Sequence, residues 1–247
     1  MASDGKPRAA RALELAPLET AAQLAPAVEL FGRVFGPPLP GVIEMRASLL
    51  AGGLCAGAFD PAAEGRPLVG AVWALAGWDA EGPFQHSHLA AVDPDVQGLG
   101  VGTALKRFHA EWCRARGIGR IRWTFDPLMA GNARFNLNRL GAVGDRWIED
   151  CYGTLTGPLD PAGRTGEAVP SDRMGVCWDL RPDRGAPAGE TTRVVLPPAG
   201  RGGLSVAEAL ARLRAELRPL LDRGGRAVGL ERSAAGDHYR VVLPPEA

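Results

Sequence analysis

The 247 residues carry 28 Lys+Arg and 28 Asp+Glu, so no net field selects nucleic acid, an anionic membrane or a polycation as partner. The most apolar stretch, residues 68–78, is far too short to span a bilayer. Met1-Ala-Ser-Asp-Gly-Lys6 lacks a signal-peptide apolar region and the four cysteines are scattered, so reduced thiols in a cytoplasmic protein are expected. Four histidines with no C-x-x-C pair argue against a resident metal.

Residues 11–15 alternate as a short strand. Thr20 and Gln23 have capping-box spacing and open a helix through Leu24, Ala27, Val28, Phe31 and Val34, with Pro26 expected to delay its start by a turn. Pro and Gly at 36–40 make a break, and a second helix covers 42–50. Strands follow at 54–59, 68–75 and 84–92, separated by Pro/Gly/Asp turns.

Val92-Asp-Pro-Asp-Val-Gln97-Gly98-Leu99-Gly100-Val101-Gly102 then runs from a strand into a helix over 101–116. The helix has an apolar stripe of Val101, Ala104, Leu105, Phe108, Trp112 and Ala115, with Gly117 placed to end it. The glycines allow a tight turn and leave main-chain N–H groups uncovered. The first N–H groups of a helix lack internal partners and lie at the positive end of its dipole, which makes an anion site suited to phosphate or pyrophosphate. Neither the dinucleotide pattern nor the Walker pattern is spelled here.

Ile121, Trp123 and Phe125 alternate as a strand stopped by Asp126-Pro127. A helix is expected over 131–140, with Ala133, Leu137 and Leu140 on its core side and Asn132, Phe135, Asn136 and Arg139 on the other. Strands at 143–152 and 174–180 flank a Gly/Pro-rich excursion, 153–170. Residues 184–203 read as a linker carrying one strand, 192–196. Ser205 and Glu208 form a second capping box, for a helix bearing Val206, Leu210, Leu213 and Leu217 that Pro219 should kink or stop. Strands at 226–231 and 238–243 end the chain, and no internal repeat is found.

The loop string resembles the Q/R-x-x-G-x-G/A signature of the GNAT superfamily of acyl-CoA N-acyltransferases. Gln97, Gly100 and Gly102 stand at the signature positions, with Val92 and Pro94 where that family carries V-x-P. The element order over about 11–180 agrees. The resemblance implies an α/β (α+β) fold with a mixed, mostly antiparallel central sheet flanked by helices. The expected organisation is an acyltransferase domain over 1–183, a linker over 184–203 and a small C-terminal α/β extension over 204–247. That extension is placed to pack on the core or to make a homodimer. Trp123-Thr-Phe-Asp-Pro-Leu128, Asn132-Ala133, Asn136, Leu140-Gly141, Tyr152-Gly153 and Ser171-Asp172-Arg173 resemble a bacterial branch with amino-acid N-succinyltransferase-like relatives.

What the resemblance implies is transfer of an acetyl or succinyl group from acetyl-CoA or succinyl-CoA to a small amine, by direct attack in a ternary complex. Main-chain amides of Gly98, Leu99, Gly100, Val101, Gly102 and Thr103 would hold the pyrophosphate, beside Gln97. Lys106 and Arg107 either reach the adenosine phosphates or form a solvated helix face. Ala91 and Val92 end the strand beside the pantetheine arm, where a free N–H near 90–92 would polarise the thioester. Asn132 and Asn136 would bond the arm's amides.

An attacking amine must lose its proton, and His86 and His88 share a strand face with a pKa of about 6.5 suited to that task. His88 is preferred as base, with Asp126, Glu149 and Asp150 as carboxylate alternatives. The family's acid Tyr position holds Leu137, so either Tyr152 replaces it or the thiol, with a pKa of about 8.5, leaves unaided. Arg173 and Asp126 are candidates for holding the acceptor, Arg173 through a substrate carboxylate. Two other readings stay open: an inactive acyl-CoA-binding sensor or scaffold, and a regulatory domain for another nucleotide.

Overall fold

The computed structural model describes residues 12–37, 39–153, 169–182, 185–200, 203–234 and 236–245. Most of the 153–170 excursion lies outside them. The chain forms two compact units that divide between Ile118 and Gly119.

In the first unit, β1 (Glu14–Pro17), β2 (Leu54–Phe59), β3 (Leu68–Asp79) and β4 (Gly82–Val92) pair in that order, all antiparallel. β1 lies later than expected and ends on Pro17, which an edge strand tolerates. Helices α1 (Ala21–Phe35) and α2 (Val42–Leu50) bury Leu24, Leu30, Phe31 and Met45 against Cys55, Ala71, Trp73 and Ala91. Helix α3 (Val101–Arg114) buries Val101 and Leu105 against Leu54, Ala56, Val72 and Ala74. A Cβ on Gly70 would come within 2.7 Å of Val101, so this glycine lets α3 lie close on β3.

Pro26 does not delay α1. The Thr20 hydroxyl accepts from Gln23 N and the Gln23 side chain accepts from Thr20 N, so the box sets the start at Ala21 and Pro26 costs only one interior bond. The stripe expected on α3 is also shifted. Val101, Leu105, Lys106, His109, Ala110 and Cys113 face inward, while Ala104, Phe108 and Trp112 are half-buried and Ala115 is exposed. Small Ala110 and Cys113 permit the close approach, and the large aromatics cover the rim.

The second unit orders its strands β5 (Arg120–Phe125), β7 (Arg173–Asp179), β6 (Val143–Ile148), β9 (Arg226–Ser233), β10 (Gly236–Val242) and β8 (Thr191–Val195), antiparallel in every pair described. The helix expected over 131–140 is one α turn, α4 (Ala130–Ala133), running into a π-helical turn, Arg134–Arg139. The wider winding buries Asn136 with Leu137 and leaves Asn132 exposed, so the two asparagines do not share an environment. β6 stops at Ile148, four residues early, because Asp150 takes a positive φ of 45° and turns the chain. Helix α5 (Val206–Asp222) runs through Pro219, held by buried Leu217 and Leu221 on either side. The fold is mixed α/β, its mostly antiparallel sheet structure flanked by helices.

Candidate functional site

β4 ends at Val92, Pro94–Val96 makes a 3₁₀ turn, and Gly100 caps α3 in the left-handed region at φ 90°. Gly98 is also left-handed, at φ 78°. Buried Val96 and Val101 and half-buried Leu99 pin this corner to the core, and Asp93 accepts from Asp95 N at 3.1 Å. Gln97 is exposed and its Nε2 reaches the Val92 carbonyl at 3.3 Å, tying loop to strand end.

The first intrahelical bond runs from Ala104 N to Gly100 O at 3.0 Å, so the N–H groups of Val101, Gly102 and Thr103 have no acceptor inside the helix. A Cβ built on Gly98 or Gly100 meets no atom within 4 Å, so the space before these amides is open. Unpartnered donors, a helix dipole and clearance for a close approach together fit a phosphate or pyrophosphate group.

β4 is irregular at one place. Trp73 faces Leu89 and Ala74 faces Ser87, which leaves His88 unmatched as the extra residue of a β-bulge. The bulge inverts the side-chain alternation. Gln85 and Ser87 lie on the α3 face, whereas Leu89 and Ala91 lie on the α1/α2 face. On the β3 side residues 89–92 are regular, so the irregular backbone lies earlier than the expected 90–92.

His86 and His88 come together on the α1/α2 face with ring centroids 6.0 Å apart. His88 stands edge-on to Trp73 at 5.2 Å, and the Trp73 indole donates to Ser48 Oγ at 2.7 Å. Burial lowers the His88 pKa, which keeps the imidazole neutral and able to accept a proton.

Lys106 does not face solvent or the loop. It is 4% exposed and its Nζ donates to Ser87 Oγ at 2.9 Å, with burial pulling its pKa down to about 7. His109, one turn on, is fully buried. Desolvation, then the nearby Lys106 charge, drives its pKa down to about 3.

In the second unit the structure gathers Tyr152, Thr124 and Arg173. The Tyr152 and Thr124 hydroxyls are 3.1 Å apart, and the Arg173 guanidinium lies 5.4 Å from the Tyr152 ring centre. Tyr152 is half-exposed. Ser171 and Asp172, both fully buried, set this turn: Ser171 Oγ accepts from Tyr152 N at 2.7 Å and Asp172 Oδ1 from Asp150 N at 3.1 Å. Asp126 is buried, its Oδ1 taken by Leu128 N at 2.9 Å. Asn136 Oδ1 accepts from the Trp123 indole at 3.1 Å, and Leu137 is buried. Glu149 binds Arg214 and Arg218 of α5. Among the described residues no three His, Cys, Asp or Glu side chains gather as a metal site, and no helix is long and apolar enough to cross a membrane.

Sequence reasoning missed the bulge, the inward Lys106 and the Ser171–Asp172 staple. Ala110 and Cys113 at helical spacing from Lys106 and His109 were the signal for the second. A bulge leaves no comparable mark in a sequence.

The model of the Acetyltransferase (GNAT) family matches residues 42–141, which span α2 to the π-helical turn and include the glycine corner. No curated sequence matches the chain. Among solved structures it is similar to the ribosomal-protein-S18-alanine N-acetyltransferase from Escherichia coli, at 17% identity and TM-score 0.50, over 68% of this chain and 94% of that one. It is also similar to Arabidopsis thaliana Naa50 in complex with the bisubstrate analogue CoA-Ac-MVNAL, at 14% identity and TM-score 0.50, over 68% and 98% of the two chains. An aminoglycoside acetyltransferase from an uncultured soil metagenomic sample matches at 16% identity and TM-score 0.43, over 49% and 82%. At these identities the likeness is one of fold. Residues 42–141, which hold the glycine corner, are thus similar to the Acetyltransferase (GNAT) family, a match that spans less than half of the chain.

Proposed function

We propose that this protein moves an acetyl or succinyl group from acyl-CoA to a small amine, an amino acid among the candidates, by direct attack in a ternary complex. The observation that carries the reading is the open glycine corner, whose unpartnered N–H groups follow directly on a bulged strand. Acyl-CoA supplies the activated thioester. The amides of Gly98 and of residues 100–103 hold its diphosphate, the Leu99 N–H being engaged by the Val96 carbonyl at 3.4 Å, and irregular backbone at His88 offers an N–H to charge developing on the thioester oxygen.

His88 removes the proton that the attacking ammonium must lose, with His86 beside it as the second base. Tyr152 is the candidate acid and Arg173 the candidate partner for a substrate carboxylate. Their contact supports roles in one substrate pocket. Asn132, exposed, remains a candidate for the pantetheine amides. Asn136, buried with its oxygen bonded to the Trp123 indole, is the second candidate, through its NH₂. We assign acyl transfer to residues 1–183, with 184–203 a linker and 204–247 an extension.

Thiol release from acetyl-CoA and from succinyl-CoA, each against a panel of D- and L-amino acids and simple amines, tests the function. Tight CoA binding with no turnover on any amine would favour a sensor instead, a reading that buried Leu137 at the family's Tyr position keeps in play. Gly100→Ala tests the corner: the methyl enters the open space before the amides and should weaken CoA binding. The left-handed backbone adds a strain of about 1–2 kcal/mol, which a urea melt reports separately. Unchanged affinity would remove the corner from the site.

A further inference from the structure

Four polar side chains are buried in the first unit at the back of β4: Gln85 and Ser87 on the strand, and Lys106 and His109 on α3. The Lys106 ammonium donates to Ser87 Oγ, and Ser87 immediately precedes the unmatched residue of the bulge. Gln85 Nε2 donates to Gly52 O at 2.9 Å, while its Oε1 and both His109 nitrogens have no bonding partner. A lysine in this inward stripe, among Val101, Leu105, Ala110 and Cys113, is a cation withdrawn from water where an apolar side chain would pack at no such cost. Packing therefore does not account for it.

We propose that Lys106 is a positioning residue for acyl transfer: through Ser87 it fixes the β4 bulge, and with it the backbone N–H and the His88 imidazole that meet the thioester and the amine. This rests on the acyl-transfer reading. The bond joins the helix that begins at the glycine corner to the strand that bears the base, so the two halves of the site are held in one register. Burial brings the amine down to about 7, so near neutral pH it passes between an ammonium that only donates and an amine that also accepts from the Ser87 hydroxyl. His109 is the titratable neighbour on the same helix and stays neutral. β4 presents uncharged Ser87 and Gln85, β2 and β3 present Leu54, Ala56, Val72 and Ala74, and β1 presents Leu15.

Two variants with thiol-release kinetics test it. Lys106→Met keeps the length and removes the donor, and Ser87→Ala removes the acceptor. Each should lower kcat about tenfold, the scale of one hydrogen bond, with the KM for acyl-CoA within about twofold. The double variant should be no worse than either single one, and Lys106→Met should flatten the part of the kcat profile between about pH 6 and pH 8. Wild-type kcat and an unchanged pH profile in Lys106→Met would overturn the proposal, as would additive losses in the double variant. If Lys106→Met does not fold, Ser87→Ala alone decides: a wild-type kcat overturns it and the tenfold loss upholds it. A wild-type protein that turns over no donor removes the acyl-transfer reading and this role with it, whereas turnover that Lys106→Met matches removes this role alone.

Discussion

Burial holds the His88 imidazole below its usual 6.5, so a base at this position is already deprotonated through neutral pH. The acid limb of the kcat/KM profile should therefore lie below pH 6.5. His88→Ala should lower kcat by about 10²–10⁴ and erase that limb, with a smaller loss in His86→Ala. A full pH profile in His88→Ala that matches the wild type would move the base elsewhere. Lys106 gives a separate signal in stability. Its folded pKa of about 7 lies below the ordinary 10.5, so between these values the unfolded chain keeps a proton that the folded one has released. Stability should then rise with pH across that window, by at most about 1.4 kcal/mol per pH unit, and be flat in this group's contribution below it. Urea melts at about pH 7 and about pH 9.5 should show that rise in the wild type and lose it in Lys106→Met. An identical rise in both would assign it to other groups.

Between elements, the C-terminal strands grip the segment that follows β5. Tyr239 of β10 is fully buried and donates to the Pro127 carbonyl at 2.5 Å. The Asn138 side chain accepts from Leu230 N at 2.9 Å and donates to Leu230 O at 3.3 Å, standing in for a strand neighbour of β9. Arg134 pairs with Asp237 at 2.5 Å. These fasteners explain why an asparagine-rich stretch winds as a π turn rather than as the regular helix its spacing suggests: matching Asn138 to β9 fixes the turn from outside. Tyr239→Phe and Asn138→Ala each leave a backbone group unmatched in a half-buried or buried place, and each should cost about 1–3 kcal/mol in a urea melt. A cost near zero in both would make the tail an independent appendage. The two capping boxes were legible because they are local, three residues apart, and both prevail over a proline within the same helix.

For the whole molecule, binding at the glycine corner is linked to folding by mass action. Acetyl-CoA at about 100 times its Kd should stabilise the protein by about 2.7 kcal/mol, seen as a rise in Tm that 3′,5′-ADP or free pantetheine gives only in part. A Tm that ignores acetyl-CoA would discard the corner as a cofactor site. The element order, the strand-to-helix glycine corner and the placing of His86 and His88 on one face were legible in the residues alone. Each of these depends on backbone conformation or on alternation over a few residues. Packing in three dimensions set the bulge of β4 at His88, the inward turn of Lys106 onto Ser87, the bond from the Trp123 indole to Asn136, and the hold of Ser171 and Asp172 on the Tyr152 turn. These depend on which distant groups lie opposite one another, and in a low-dielectric interior that juxtaposition fixes both the hydrogen bonds and the protonation states.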